Sequence, residues 1–191
     1  NLLLCVTGSI AAYKACELLR LLRKEEANVQ VMMSNSAEQF IGKATFSALS
    51  NNKVLTNLFS EDAAKDIKHV GLSFDLDAII VAPATANILG KSASGVADDV
   101  VSTLLSICEQ PTIFVPAMNF RMWQNKSTIN AVDILKKQGK IVMNPDEGQL
   151  ASLHEGEGRF PDTNSIINQV REIFEQPLPL RNKNILITAG P

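Results

Sequence analysis

Short apolar runs that end in turn residues alternate with longer amphipathic stretches along this 191-residue chain. Leu2–Val6 is apolar at every position, which is typical of a strand buried on both faces of a parallel sheet. Over residues 10–24 apolar side chains recur at helical spacing and the charges lie largely opposite them, which predicts an amphipathic helix. The same patterns predict strands over Asn28–Met33, Ala78–Ala82, Thr112–Val115 and Lys140–Met143, and helices over Ser36–Ser50 with a break near Gly42, Val96–Ile107, Thr128–Gln138 and Asn164–Glu175.

This alternation predicts an α/β fold, in which a parallel sheet of about six strands has helices on both faces and so forms three layers. Ligands of such sheets bind at the carboxyl ends of the strands. These ends are predicted to carry small or polar residues for the most part, at positions 7–9, 34–35, 83–87, 116–119 and 144–148.

The predicted helices and strands divide the chain into one domain and a short remainder. Residues 1–175 are expected to form the domain, and residues 148–159 to be a flexible loop within it because of their glycines. The proline-containing segment from residue 176 predicts a linker, and residues 184–191 predict the first strand and turn of a second domain that is cut off.

Composition narrows the classes of function. Hydrophobic residues make up 46% and charged residues 20%, so there is enough apolar surface for a folded globule and intrinsic disorder is excluded. A net charge of -2 and an aromatic content of 5% argue against a nucleic-acid partner. No apolar run reaches the ~20 residues that would span a bilayer, so no membrane partner is expected.

The three cysteines, Cys5, Cys16 and Cys108, have no paired spacing. An odd number in apolar surroundings predicts reduced, buried thiols and therefore a cytoplasmic protein. The spacing of cysteines and histidines matches no zinc motif, so no metal is expected.

The turn after the first strand contains Gly8 and Ser9. Backbone N–H groups at a helix start and the Ser9 hydroxyl suit a phosphate, although a simple tight turn explains the pair equally well. The glycine spacing of dinucleotide-binding proteins is absent, and Met33 and Ser34 stand where an acidic residue would bind a ribose. A mononucleotide such as FMN therefore fits better than a dinucleotide.

Several polar residues are candidates for chemistry. His69 is one of two histidines and is either a proton-transfer group or an ordinary surface residue. Neutral side chains follow two strand ends, where Thr85, Asn87 and Asn119 offer hydrogen bonds to a flavin ring or a substrate carboxylate, or else cap the strand ends. Arg159 is either a bidentate ligand of a phosphate or carboxylate or a solvated surface residue.

Motifs of a known family occur along the chain in order. They are Gly8-Ser9-Ile10-Ala11-Ala12-Tyr13-Lys14, His69, Pro83-Ala84-Thr85-Ala86-Asn87, Pro116-Ala117-Met118-Asn119 with Met122-Trp123, and Gly156 and Gly158 with Arg159. This set resembles the homo-oligomeric flavin-containing cysteine decarboxylases from Leu2 to about Glu175, and especially the coenzyme A branch, which forms the amino-terminal half of a bifunctional bacterial flavoprotein. Residues 185–191 resemble the start of that protein's second half, a ligase expected to use CTP and Mg²⁺.

The resemblance implies a Rossmann-like (flavodoxin-like) fold and FMN-dependent decarboxylation of 4'-phosphopantothenoylcysteine to 4'-phosphopantetheine. The flavin would oxidise the cysteine to a thioaldehyde, CO2 would leave, and the reduced flavin, FMNH2, would then reduce the resulting enethiol. It further implies that His69 is the base, that Asn119 holds the substrate carboxylate, and that Met122 and Arg159 contact the substrate. A loop of Gln149, Leu150 and Ala151 would cover the substrate, and FMN would be lined by Gly8, Ser9, Ile10, Ser34, Ala84, Thr85, Ala86, Asn87 and Ala117.

One position departs from the family pattern. The coenzyme A branch usually has a cysteine in the substrate loop that protonates the enethiol, whereas this chain has Ser152. A hydroxyl is a far weaker acid than a thiol, so we expect oxidation and decarboxylation to survive and enethiol reduction to slow. Three explanations stay open: natural divergence with His154 or another group helping, an engineered substitution, or a decarboxylase that releases the enethiol.

Two other functions compete with decarboxylation. One is a non-catalytic regulatory subunit on the same fold, which the retained His69 argues against. The other is a nicotinamide oxidoreductase, which the missing glycine fingerprint disfavours. The resemblance also implies trimers, sometimes assembled into dodecamers, with FMN between neighbouring subunits.

Overall fold

The computed structural model describes residues 1–57, 75–152 and 154–175. In the described residues up to position 142, each strand but the last is followed by one or two α-helices, broadly as the apolar pattern predicts. The strands are β1 (Leu2–Val6), β2 (Val29–Met33), β3 (Ala78–Ala84), β4 (Thr112–Pro116), β5 (Ile141–Val142), β6 (Asp146–Gln149) and β7 (Glu155–Arg159). The α-helices are α1 (Lys14–Lys24), α2 (Lys43–Ser50), α3 (Ala86–Ser94), α4 (Val100–Ile107), α5 (Phe120–Trp123), α6 (Lys126–Lys137) and α7 (Thr163–Phe174), and short 3₁₀ turns span Ile10–Tyr13 and Ala37–Gln39.

The main sheet has five parallel strands in the order β2-β1-β3-β4-β5. The chain leaves β1 towards β2 and later returns to the other side of β1 with β3, so the strand order reverses between β1 and β3. Crevices beside such a reversal are where doubly wound sheets bind ligands. The predicted α/β class with a parallel sheet is confirmed, and five parallel strands are described where about six were predicted.

Two apolar clusters cover the two faces of this sheet, because alternate residues of a strand point to opposite sides. On β1, Leu2, Leu4 and Val6 belong to one cluster, whereas Leu3 and Cys5 belong to the other. The first face is covered by apolar residues of α1, α2 and α7, and the second by those of α3, α4 and α6. The three-layer arrangement therefore follows from strands that are apolar on both sides.

Side-chain caps fix where the helices begin. Asp99 accepts the backbone N–H groups of Val101 and Ser102 at 3.0 and 2.9 Å, and Ser102 returns a bond to the Asp99 backbone, which completes a capping box for α4. Asp162 caps α7 in a similar way, through the N–H groups of Asn164 and Ser165. The Asp99 cap explains why α4 starts at Val100. The apolar pattern had predicted a start at Val96.

Some details of the fold differ from the predictions, and one prediction lies outside the described residues. Residues 148–159 are not a flexible loop, because β6 and β7 pair there as an antiparallel hairpin. Strand β3 does not stop before Pro83 but continues to Ala84 beyond a register shift, and the helix α3 that follows was not predicted. The predicted linker and partial second domain, residues 176–191, lie outside the described residues, so the domain division at residue 175 stays a prediction.

Two further expectations concern the burial of the cysteines and the absence of a membrane-spanning segment. All three cysteines are free; Cys5 and Cys108 are buried, as predicted, whereas Cys16 is only half-buried. Burial raises the pKa of each of these thiols, which makes them poor nucleophiles. Within the described ranges, no helix combines the length and the apolar character needed to cross a membrane.

Candidate active site

The turn after β1 lies directly against the turn after β2. A Cβ at Gly8 would stand 2.5 Å from the Cβ of Ser36, so no larger residue fits without moving one of the turns. The Ser34 N–H donates to the Val6 carbonyl at 3.0 Å, and the Ser34 hydroxyl accepts the Ala37 N–H at 3.3 Å. The predicted FMN ligands Gly8 and Ser34 therefore lie on adjacent turns at one edge of the sheet.

A buried hydroxyl joins the end of β1 to the end of β3. The Thr7 Oγ1 donates to the Pro83 carbonyl at 2.6 Å and accepts the Thr85 N–H at 3.3 Å, while only 3% of Thr7 is exposed. Thr85 in turn begins α3, because its hydroxyl accepts the Ile88 N–H at 3.4 Å. The strand end that carries Ala84, Thr85, Ala86 and Asn87 is thus tied to β1.

The end of β4 is joined to the same network. The Ala117 N–H donates to the Ala84 carbonyl at 3.1 Å, and the Ser9 hydroxyl donates to the Ala117 carbonyl at 3.3 Å. Since Ser9 also accepts the Ala11 N–H, its hydroxyl both caps the first 3₁₀ turn and reaches across to β4. Three turns, of which the first and the last lie 108 residues apart in the sequence, therefore form one surface.

Asn119 begins the short helix α5. Its Oδ1 accepts the Arg121 N–H at 2.9 Å, which fixes the amide plane. With the oxygen used in this bond, the Nδ2 group is the end that can donate to a ligand. This orientation suits an anionic acceptor such as a carboxylate.

The β6–β7 hairpin packs against the turn that carries Asn119. The Met118 N–H donates to the Gly158 carbonyl at 2.9 Å, and a Cβ at Gly158 would overlap the Met118 carbonyl oxygen. A Cβ at Gly156 would lie 2.9 Å from the Cβ of Phe120. The two glycines of the Gly156-x-Gly158 motif are therefore explained by close packing, and they bring the tip of the hairpin to the sheet edge.

A cavity of about 680 Å³ lies between these turns and the hairpin. Four segments line it: the start of α1 with its 3₁₀ turn, the turn after β4, the tip of the hairpin, and the end of β7. Its lining residues are Ser9, Ile10, Ala11, Tyr13, Lys14, Ala117, Met118, Asn119, Gln149, Leu150, Ala151, Ser152, Gly158, Arg159 and Phe160.

The cavity has a positive charge. Lys14 and Arg159 line it, and among the described residues no aspartate or glutamate does. Among the described residues neither cation belongs to an ion pair; the Lys14 Nζ lies 5.8 Å from the centre of the Phe160 ring. Two unpaired cations in one cavity favour an anionic ligand.

Most of the predicted site residues meet at this edge of the sheet, but they do not all line the cavity. Ser9, Ile10, Ala117, Asn119, Arg159 and the hairpin residues 149–152 do so. The other described site residues are not among the lining residues: Met122, at 48% exposure, exposed Asn87, and Gly8, Ser34, Ala84, Thr85 and Ala86 on the turns after β1, β2 and β3. The predicted base His69 lies outside the described residues.

Sequence reasoning missed four contributors to the site. Thr7 organises the strand ends, and Tyr13, Lys14 and Phe160 line the cavity. Tyr13 and Lys14 stand within the quoted motif, but the helical pattern assigned Lys14 to the solvent side of α1. His154, considered as a helper of Ser152, is not among the lining residues, and its ring centre lies 6.2 Å from that of Phe120.

Comparison with known proteins identifies the family. The profile of the family described as Flavoprotein matches residues 1–175. The chain belongs to the Flavoprotein family. The coenzyme A biosynthesis bifunctional protein CoaBC of Bacillus subtilis is 41% identical over 193 residues, a match that takes in 100% of this chain and 48% of that protein. CoaBC of Mycobacterium bovis is 38% identical over 189 residues, with 97% and 45% covered, so the chain spans about half the length of these relatives.

Solved structures related to this Flavoprotein family member share its fold. A cysteine-to-serine mutant of PPC decarboxylase, complexed with pantothenoylaminoethenethiol, is 26% identical with a TM-score of 0.79 and covers 92% of this chain and 98% of its own. The FMN-dependent cysteine decarboxylase SpaF is 28% identical with a TM-score of 0.75 and covers 91% and 97%.

Proposed function

We propose that this chain catalyses the FMN-dependent decarboxylation of 4'-phosphopantothenoylcysteine in coenzyme A biosynthesis. The observation that carries the proposal is the cavity itself, which gathers Ser9, Ala117, Asn119 and the hairpin tip at the edge where strand order reverses. The matches to CoaBC and to PPC decarboxylase supply the substrate class.

The residues present fit a flavin mononucleotide. The cavity volume of about 680 Å³ lies within the range of roughly 300–1,000 Å³ found for pockets that hold ligands of this size. Backbone groups and hydroxyls of the turns after β1 and β3 suit a phosphate and a polar ring edge, and the close contact of Gly8 with Ser36 keeps these turns together. We assign to this role Ser9, Ile10 and Ala117, which line the cavity, together with residues that follow the ends of β1, β2 and β3 beside it, namely Gly8, Ser34, Ala84, Thr85, Ala86 and Asn87.

When bound, FMN supplies the two-electron oxidation of the substrate cysteine, after which loss of CO2 leaves the electron pair in an enethiolate. The protein binds and orients the substrate. Asn119 donates its Nδ2 group to the departing carboxylate, a neutral contact that does not over-stabilise the charged ground state. Lys14 and Arg159 attract the substrate phosphate. We also propose Met122 as a substrate contact and His69 as the base, which the family motif supports.

The hairpin tip decides what happens to the enethiol. Ser152 lines the cavity where relatives of the coenzyme A branch place a thiol, so we propose that this chain decarboxylates efficiently and protonates the enethiol slowly. The related PPC decarboxylase structure with a cysteine-to-serine change is a complex with pantothenoylaminoethenethiol, an enethiol, which supports this expectation. Residues 149–151 would cover the substrate.

Further properties of the whole protein are proposals of the same kind. Since the CoaBC relatives are about twice as long, we propose that a ligase activity with CTP and Mg²⁺ accompanies this domain in the full protein. The exposed side chains of Ile10 and Tyr13, at 60% and 62% exposure beside the cavity, support a neighbouring subunit that closes the site, as in a trimer or dodecamer.

Mass spectrometry of the reaction products tests the proposal. Purified protein is incubated with FMN and phosphopantothenoylcysteine, and products are followed by mass. A loss of CO2 with formation of enethiol or phosphopantetheine is expected, and the variant Asn119→Asp, which puts a like charge beside the carboxylate, should reduce the rate at least about 100-fold. Unchanged substrate in the presence of bound FMN would contradict decarboxylation, and the absence of FMN binding would contradict the cofactor.

A further inference from the structure

We propose that Thr7 is a positioning residue for flavin binding, because its hydroxyl sets the distance between the β1 turn and the β3 turn. Thr7 does not line the cavity, and the family motif begins only after it. The inference rests on the proposed FMN site but concerns a residue to which the sequence motifs do not point.

The Thr7 hydroxyl makes its hydrogen bonds just beyond the point where the backbone pairing of β1 with β3 ends. Strands β1 and β3 pair in register only as far as Cys5 with Val81, and beyond that pair the register of β3 against β4 also shifts. Two residues beyond Cys5, just past the end of β1, the Thr7 side chain donates to the Pro83 carbonyl and accepts the Thr85 N–H. One side chain thus replaces the strand-to-strand hydrogen bonds over the last residues of β3.

The consequence is a fixed position for the residues that follow. Thr85 caps α3, so the place of its backbone N–H sets where the first turn of this helix, with Ala86 and Asn87, begins. On the other side Ala84 accepts the Ala117 N–H, and Ala117 in turn accepts the Ser9 hydroxyl. Removal of the Thr7 hydroxyl would leave the Pro83 carbonyl and the Thr85 N–H without this partner. Because unsatisfied buried backbone groups are costly, we expect the turn after β3 to move when Thr7 is changed.

Two substitutions separate the hydroxyl from the size of the side chain. Thr7→Val keeps the shape and removes both hydrogen bonds, whereas Thr7→Ser keeps the hydroxyl and removes a methyl group. Thr112→Val is the matched control: Thr112 is 1% exposed, lies at the opposite end of the sheet, and donates to the Gln110 carbonyl at 3.0 Å. It removes a buried hydroxyl without touching the proposed site.

FMN is titrated into flavin-depleted protein of the full chain, with the Kd read from flavin fluorescence well below the melting temperature. We expect Thr7→Val to raise the Kd at least about tenfold and Thr7→Ser to stay within about threefold of the unchanged protein, as one or two buried hydrogen bonds predict. Thr112→Val should lower the melting temperature and leave the Kd unchanged. If Thr7→Val does not fold, Thr7→Cys replaces it, and its Kd should exceed that of Thr7→Ser.

An unchanged Kd in Thr7→Val, or an equal loss in Thr7→Val and Thr112→Val, would overturn the positioning role while leaving the decarboxylase proposal intact. An equal Kd in Thr7→Cys and Thr7→Ser would do the same. If the unchanged protein binds no FMN, both the positioning role and the proposed function fail. The two failures are therefore distinguishable by the unchanged protein alone.

Discussion

Gly158 and Met118 lie so close together that only a glycine fits at position 158. The Gly158 carbonyl accepts the Met118 N–H at 2.9 Å, and any Cβ on Gly158 would overlap the Met118 carbonyl oxygen. Met118 directly precedes Asn119, and Gly158 belongs to the strand that returns from the hairpin tip. One contact therefore sets the position of the hairpin tip relative to the Asn119 amide.

The first prediction concerns this contact. Gly158→Ala should push the hairpin away from the turn after β4 and separate Ser152 and Gln149 from Asn119. Because small misplacements of reacting groups are costly, we expect kcat to fall at least about tenfold. The measurement is steady-state decarboxylation, with the far-UV circular dichroism spectrum recorded to show that the fold is retained.

Gly90→Ala is the matched control for this substitution. Gly90 lies inside α3 with open space where a Cβ would stand, so alanine there should leave kcat unchanged and add about 0.5–1 kcal/mol of helix stability. Equal activity in Gly158→Ala and Gly90→Ala would show that the hairpin contact does not matter for catalysis.

The second prediction concerns the charge of the cavity. Lys14→Gln should raise KM for the phosphorylated substrate about tenfold, the loss expected for one charge-assisted hydrogen bond, and leave KM for the unphosphorylated analogue nearly unchanged. The comparison is Lys24→Gln, at the exposed end of the same helix, which should change neither constant. An equal effect of Lys14→Gln on both substrates would assign Lys14 to a part of the site other than the phosphate.

The third prediction concerns Ser152. Ser152→Cys places an acid with a pKa of about 8.5 at the hairpin tip, and general acids of this kind accelerate proton transfer about 10²–10⁴-fold. We expect the ratio of phosphopantetheine to enethiol among the products to rise by about 10²-fold. Since the thiol must keep its proton to donate it, the gain should fade as the pH rises beyond about 8.5.

Ser127→Cys, an exposed position at the start of α6, provides a thiol outside the cavity and should not change the product ratio. If the unchanged protein already yields only phosphopantetheine, another group of the protein protonates the enethiol and the proposed deficit at Ser152 is wrong.

The fourth prediction concerns acid stability. Burial opposes ionisation of Asp99, but the Lys91 ammonium at 2.6 Å and the hydrogen bonds from Ser102 outweigh it and lower the pKa of Asp99. A carboxyl group whose pKa is lowered by folding stabilises the folded protein above its unfolded pKa of about 3.9, and this stabilisation is lost as the pH falls through the folded value. Asp99→Asn keeps a capping side chain and removes the charge.

Urea unfolding at several pH values checks this prediction. The unchanged protein should be more stable than Asp99→Asn at pH 7, and the difference should shrink below about pH 4. Asp133→Asn, at an exposed position on α6 without an ion pair among the described residues, should show little difference at any pH. A constant difference between the unchanged protein and Asp99→Asn would mean that the cap and not the charge is responsible.

The sheet was predictable because its strands are apolar at nearly every position. Leu2–Val6 and Ala78–Ala84 are buried throughout, and a continuous apolar run marks such strands without any tertiary information. The hairpin was not predictable in this way, since β6 consists of Asp146, Glu147, Gly148 and Gln149, which are polar or glycine and mostly exposed. Its pairing depends on contacts that the local pattern does not contain.

The candidate site likewise contains residues that the local sequence pattern predicts and residues whose role depends on tertiary contacts. Motifs at strand ends, such as Ser9 and Asn119, were predictable because parallel strands end at one edge. Thr7 was missed because its role is to bridge 76 residues of chain, and a threonine at the end of a strand has no local signature. Lys14 was missed because a helical pattern assigns charges to solvent, whereas Lys14 lines the same cavity as the hairpin tip.

Within the described part of the chain, the hairpin β6–β7 is a separate two-stranded sheet that pairs with no strand of the main sheet. Its tip can therefore change in sequence without disturbing the pairing of the main-sheet strands. With the role proposed for Ser152, exchanging residues 150–154 between relatives is a route to new products from one inherited scaffold.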